Sequence, residues 1–525
     1  FCVFVENFKP FFFVKVGDSW GETQKREFHK AIEGKLGPYY KDSIHECKLV
    51  KRKKLYGFDD EKLHNFIYIS FTNTIALNKA KYLWFNDGQL RRDGFVFKNV
   101  NTKIYESNIP PLLRYFHIQQ ISPSGWVELE KYTDNSDVKS TTCKYEVRAD
   151  FNNFIPLNEK ETMVPYNICS FDIEASSSHG DFPVPVKSYK KLATNIIDMT
   201  KGMLGDLSDD SEMEAVLKRC IYTAFSINGE NNHYVDKVFP KKTGDGSKEK
   251  IISRTERWLK SSPNMKVSNI SEIKSIMSFM KTPDEIDAVE TYGTTFGGHG
   301  RRGRKPAATN TIFDLIRSTE YVYDDKINEL DTSLMIHFPP LAGDKVTFIG
   351  STFLKYGESE PYLNHCIVLD TCSPLKNVEN AEIETHKNEK DVLLAWTKII
   401  QREDPDIVIG YNIFGFDYGF MYERAKECGV VEQFLRLSRN KLDVAADNGR
   451  PEICINTNRD GTRDIESSKI VLASGEHDLR YIKMNGRMQV DLYNYFRRDF
   501  NLPSYKLDYV AGQYIGDKVK SIDVS

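Results

Sequence analysis

At 525 residues the chain is longer than a single hydrophobic core organises, so two or three domains are expected. Its nine cysteines include no Cys-x-x-Cys pair and no Cys/His ligand spacing, which argues against a disulfide scaffold or structural zinc and for a reducing, intracellular compartment. A net charge of −3 neither demands nor excludes a polyanionic partner, and no apolar run approaches the ~18 residues of a membrane helix or the pattern of a signal peptide.

The charge is unevenly spread. Residues 1–150 hold 24 Lys and Arg against 19 Asp and Glu, the remainder 48 against 56. A basic front and an acidic rear suit a protein that grips a polyanion and coordinates metal, although scattered surface charge would give the same counts.

In chain order, Val3–Val5, Phe11–Val16 and Phe66–Phe71 have the β-branched and aromatic enrichment of strands. Thr23 to Leu36 reads as a surface helix, so an α+β domain over about residues 1–160 is expected. Lys51-Arg52-Lys53-Lys54 is a candidate phosphate contact, though such a run is usually a solvated loop.

From about Tyr166 strands and helices alternate. Asn167–Glu174, Val346–Leu354, Cys366–Asp370, Asp406–Gly410 and Met488–Leu492 read as strands. Glu389–Gln401 reads as a helix with Val392, Leu393, Trp396 and Ile399 on one face; Asp417–Cys428 is a second, ended by Gly429, and Tyr505–Ile515 a third. Over residues 161–525 this gives an α/β domain, a mixed sheet flanked by helices. An insertion of about 187–334 interrupts it. Apart from strand-like Cys220–Ile227, the insertion is polar, with little periodicity from Lys241 to Lys305, and is expected to be partly disordered. Within it, the Gly-rich stretch 292–300 and the basic Arg301–Pro306 suggest a flexible linker or a nucleic-acid patch.

Two acidic stretches carry the chemistry. In Phe171-Asp172-Ile173-Glu174 the two carboxylates fall at i and i+2 of a strand, so they project from one face. Carboxylates that close resist joint ionisation, a conflict that a divalent cation removes. Asp417, at the end of Asn412-Ile413-Phe414-Gly415-Phe416-Asp417, is a third carboxylate that could complete a two-metal phosphodiester-hydrolysing site.

These segments resemble the N-terminal and 3′–5′ exonuclease regions of family B DNA polymerases. Phe171–Glu174 is similar to the first exonuclease motif, and Asp404–Asn412 leading to Phe416-Asp417 to the second. Supporting segments follow in family order: Tyr105–Pro110 with Leu113-Arg114 and Gly125-Trp126, then Gly343–Gly350, then Gly486–Asp491 with Ser504–Leu507. The long insertion and Asp181–Pro185 look most like polymerases of giant DNA viruses.

The resemblance implies an RNase-H-like exonuclease domain that proofreads the 3′ primer end with two Mg²⁺ or Mn²⁺ ions. Asp172 would ligate both metals, Glu174 one of them, and Asp417 the second; Asn412 and Phe416 would contact the frayed single strand. For Phe416 a core aromatic, and for Asp417 a helix N-cap, are the plain alternatives. The implied partners are primer-template DNA, dNTPs bound by a polymerase domain, and a processivity factor, with no membrane. A viral protein of this kind would work in the host cytoplasm or nucleus.

The family's third motif, Tyr-x-x-x-Asp, belongs beyond Ser504–Leu507 and supplies a fourth carboxylate. The sequence reaches Ser525 without it, so the chain reads as a piece of a polymerase without palm, fingers and thumb, weak or inactive alone. Tyr495–Asp499 matches formally but lies upstream, as a helix surface would. A catalytically inactive DNA-binding module and a stand-alone exonuclease are the competing readings.

Overall fold

A computed structural model describes residues 1–54, 59–86, 89–91, 94–177, 180–201, 209–227, 229–241, 246–261, 311–373, 380–441, 456–457, 463–472 and 475–516. The stretches 292–300 and 301–306 lie outside the described residues. The chain divides into two units, Phe1–Met163 and Val164–Ser525. Among the described residues no helix is long and apolar enough to cross a membrane.

The first unit is built on a five-stranded antiparallel sheet of Ile44–Arg52, His64–Phe71, Phe11–Lys15, Val100–Tyr105 and Phe95–Phe97, in that spatial order. Helix Glu22–Leu36 buries Phe28, Ile32 and Leu36, spaced i, i+4, i+8, in one core with Phe12, Val14, Ile67 and Trp84. The basic run lies at the end of the edge strand, where Lys53 pairs with Glu61, and Lys54 with Asp59 at 2.9 Å. Two of its four charges are therefore neutralised locally. Cys2–Glu6 pairs in parallel with Glu146–Asp150 in a second, smaller sheet.

The second unit carries a six-stranded mixed sheet. Its strands are β1 (Asn167–Ser176), β2 (Lys345–Lys355), β3 (Leu363–Leu369), β4 (Ala381–His386), β5 (Ile407–Gly410) and β6 (Met488–Asp491), in the spatial order β4-β3-β2-β1-β5-β6. Only β2 runs against the others. Helix Glu389–Glu403 lays Val392, Leu393, Trp396 and Ile400 into the sheet's core, with Trp396 4.9 Å from Phe171 of β1.

Where it is described, the insertion is largely helical. Helices Lys190–Lys201, Asp210–Ala224, Lys248–Leu259, Ile312–Arg317 and Tyr323–His337 enclose a separate core containing Ile196, Leu217, Trp258, Leu330 and Phe338. Cys220–Ile227 is thus no strand; most of it is the end of the second of these helices. Met213, Leu217, Cys220, Ile221 and Ala224 fall on one helical face, and that burial outweighs the β-preference of Ile221, Tyr222 and Thr223.

Candidate active site

Strand β1 alternates as its sequence dictates. Cys169, Phe171 and Ile173 are buried, whereas Ser170, Asp172 and Glu174 are exposed on the opposite face. The register against β2 shifts just after Glu174, so the carboxylates occupy the last regular turn of the pleat before an irregularity.

Asp417 comes from 245 residues further on, as the first residue of helix Asp417–Glu427. Phe416 is the capping residue, so Asp417 does not act as the N-cap. The Asp417 side chain is 2% exposed, and its carboxyl lies beside that of Asp172. Burial, then the neighbouring Asp172 charge, pushes Asp417 well above the ordinary carboxylate range. Partial desolvation of its carboxyl against the protein also raises Asp172, opposed by the bond from the Ile173 N–H. Glu174 is raised by partial desolvation of its carboxyl and by the Asp172 charge. Asp417 Oδ1 is buried with no hydrogen-bond partner.

Asp172 and Asp417 are therefore brought together, with Glu174 beside them on the same strand face. Among the described residues, no group of three or more His, Cys, Asp or Glu is gathered as a metal site. The orphaned Asp417 oxygen beside the Asp172 carboxyl nevertheless fits a hard cation, which would satisfy that oxygen and relieve the conflict between the two charges.

The loop before Asp417 is tightly wound. Asn412 adopts a left-handed backbone, φ 61°, and its carbonyl accepts the Gly415 and Phe416 N–H groups at 3.0 and 2.9 Å. A methyl on Gly415 would lie 2.2 Å from Asn412 Oδ1, so a larger residue there would displace the Asn412 side chain. Phe416 is half-buried against the sheet's core, its ring 5.3 Å from Phe420 and 5.6 Å from Phe182.

The sequence reading included Asp491 only as the end of a supporting segment; the structure makes it the anchor of this loop. Buried at 4% exposure, it accepts the N–H groups of Asn412 (2.8 Å), Phe414 (3.0 Å) and Tyr493 (3.0 Å), and the Asn494 amide at 2.9 Å. The available signal was local: an Asp closing a strand immediately before a helix is an N-cap signature. Tyr495 and Asp499 lie on that helix, Leu492–Asp499, with Tyr495 exposed and Asp499 paired to Arg498 at 2.6 Å.

The model of the family B DNA polymerase exonuclease domain matches residues 102–280 and 330–510. The DNA polymerase of Phaeocystis pouchetii virus is 41% identical over 99% of this chain and 51% of its own length. That of Pyramimonas orientalis virus is 32% identical over 99% and 39%. The DNA polymerase delta catalytic subunit of Oryza sativa subsp. japonica is 33% identical over 35% of this chain and 15% of its own. Among solved structures, the family B DNA polymerase of Pyrobaculum calidifontis aligns with 97% of this chain and 35% of its own, at 12% identity and a TM-score of 0.39. The chain belongs to DNA polymerase family B and carries that family's exonuclease domain. It spans about half, or less, of the two viral polymerases it matches along nearly its whole length.

Proposed function

We propose that this chain is the N-terminal and proofreading part of a DNA-directed DNA polymerase, and that its second unit is an RNase-H-like 3′–5′ exonuclease. The observation that carries the reading is the meeting of Asp172 and the buried, half-orphaned Asp417, delivered by two distant segments to one end of β1. The strand order β3-β2-β1-β5-β6 with β2 alone reversed supports the fold.

In this reading Asp172, Glu174 and Asp417 hold two Mg²⁺ or Mn²⁺ ions, and a fourth carboxylate from the third motif completes the set. The cations, when bound, lower the pKa of the attacking water and stabilise the leaving oxygen. The chain's own residues do the rest. Asp172 and Asp417 would both be ionised when holding a cation, and the amino end of helix Asp417–Glu427 would favour the Asp417 charge. Asn412 and Phe416 orient the frayed 3′ strand, with the Phe416 face available for stacking or wedging against a base. Primer-template DNA is the substrate of the whole protein, with dNTPs bound in its polymerase domain.

Two measurements test this. Mn²⁺ should raise the melting temperature of the chain, and Asp172→Asn or Asp417→Asn should abolish that rise. In the polymerase bearing this chain, Asp172→Ala should cut removal of a 3′ mismatch beyond the roughly 10–100-fold typical of outer-shell changes, leaving primer extension intact. Mismatch removal that survives both Asp172→Ala and Asp417→Ala would overturn the reading. If the unaltered polymerase binds DNA without removing mismatches, the unit is the inactive module instead.

A further inference from the structure

We propose that a cavity of about 350 Å³, walled by the exit of β1 and by the helical insertion, is a nucleotide-binding site. It takes the nucleoside 5′-phosphate unit of a single-stranded 3′ end or of a released mononucleotide.

The volume lies in the range of small-ligand sites, roughly 300–1,000 Å³. Its lining has two characters. One wall is apolar, made by Val184, Leu192, Val238 and Leu341 with the rings of Phe182 and Phe239, which remain 37% and 48% exposed. Aromatic rings left open to water along a cavity wall are platforms on which any base can stack. The rim is charged, with Lys187, Lys190, Lys191 and Lys237 against Asp181, Asp236 and Asp344.

The carboxylates hold the lysines in place. Lys187 pairs with Asp344 at 2.5 Å, and Lys191 with Asp181 at 2.7 Å and Asp236 at 3.6 Å. Lys190 is left without a carboxylate partner among the described residues, at the amino end of helix Lys190–Lys201, where backbone N–H groups favour an anion. An apolar wall for a base, and on the rim a lysine that no carboxylate among the described residues neutralises for a phosphate, are the two halves of nucleotide recognition.

The position gives the cavity a use, and this part of the argument rests on the exonuclease reading. Ser177, on the lining, is three residues beyond Glu174, and Phe182 shares a ring contact with Phe416, the residue before Asp417. A strand end drawn to the carboxylates would thus have a place for a base supplied by the insertion.

Binding is measured in EDTA, where no hydrolysis is needed, so failure of the exonuclease reading leaves this test intact. Calorimetric titration of the 525-residue chain with dTMP, and separately with single-stranded (dT)4, should show saturable binding. Lys190→Glu and Phe239→Ala should each weaken it at least tenfold. Binding of dTMP assigns the free nucleotide; binding of (dT)4 alone assigns the strand end. Because a variant could misfold, acetylation of the unaltered chain is the second readout. Saturating ligand should slow labelling at Lys190 and Lys191 at least fivefold while leaving exposed Lys30 unchanged. Absence of binding by both ligands, undiminished binding by the variants, or unprotected Lys190 and Lys191 would each overturn the proposal.

Discussion

Two acidic side chains, Glu146 and Asp417, show opposite solutions to burying a carboxyl group. Both are almost wholly removed from solvent. Asp417 faces another carboxyl and is pushed up; Glu146, in the first unit, is surrounded by donors. Asn135 Nδ2 donates to it at 2.8 Å, the Ser140 and Thr141 N–H groups at 3.0 and 2.9 Å, and the Thr141 hydroxyl at 2.9 Å. Burial alone would raise Glu146, but these bonds outweigh it and bring it down from 4.5 to about 2. A depressed carboxyl stabilises the fold where it is ionised in both states, so its contribution is complete above pH 4.5 and disappears as pH falls toward 2. Glu146→Gln should therefore destabilise the protein by about 1–3 kcal/mol at pH 7, since an amide cannot accept from all these donors. In urea unfolding at a series of pH values, the gap between the two proteins should close as pH drops through that window. A gap that stays constant down to pH 2.5 would show that shape, and not charge, accounts for the effect.

At the scale of single elements, what was readable depended on whether burial followed the local pattern. The alternation in Asn167–Glu174 placed Asp172 and Glu174 on one face correctly because the other face is buried against a helix. Strand Ala381–His386 was missed. It lies at the sheet edge with no fully buried residue, so its Glu382, Glu384 and His386 look like loop. In the insertion, helix Lys190–Lys201 buries Leu192, Ala193, Ile196, Ile197 and Thr200, and Lys248–Leu259 buries Ile251, Thr255, Trp258 and Leu259, both at helical spacing. That period was present but diluted by the many charged residues around it. The role of Asp491 was out of reach for another reason: its partners Asn412 and Phe414 are 79 and 77 residues away, and only the parallel pairing of β5 with β6 brings them to it. Asp491→Ala would leave two loop N–H groups unpaired and loosen the turn that presents Asp417. It should reduce mismatch removal by roughly 10–100-fold, as loss of an outer-shell partner does. Asp491→Asn, which keeps one acceptor oxygen, should fall between. If Asp491→Ala lowered the melting temperature while mismatch removal at low temperature stayed normal, the residue would be structural only.

At the scale of the whole second unit, the insertion is a subdomain clipped to the sheet at its two ends. The Val184 N–H donates to Asp344 Oδ2 and the Asp344 N–H donates to the Val184 carbonyl, both at 2.9 Å, so the entry and exit of the excursion are hydrogen-bonded to each other. Gly343 permits this approach: a methyl there would lie 1.8 Å from the Pro185 carbonyl oxygen. Arg424, on the helix that begins with Asp417, donates to the same Pro185 carbonyl at 3.1 Å and to both oxygens of buried Glu389 at 2.8 and 2.7 Å. Its partner Glu389 in turn accepts the Val346 N–H of β2 at 2.9 Å. The clip and the carboxylate-bearing helix are thus parts of one buried polar network, whereas the cores of sheet and insertion are separate. This division predicts that residues 187–341 can be replaced by a short Gly/Ser turn. Closing a shorter loop costs less chain entropy, and Pro185, Gly343 and Asp344 remain to satisfy Arg424 and Val184. The trimmed chain should melt in one cooperative transition and keep its Mn²⁺-dependent rise in melting temperature, while losing nucleotide binding at the cavity the insertion helps to wall. Loss of the Mn²⁺ response in a cooperatively folded trimmed chain would mean that the insertion also positions Asp417, with Arg424 as the connection.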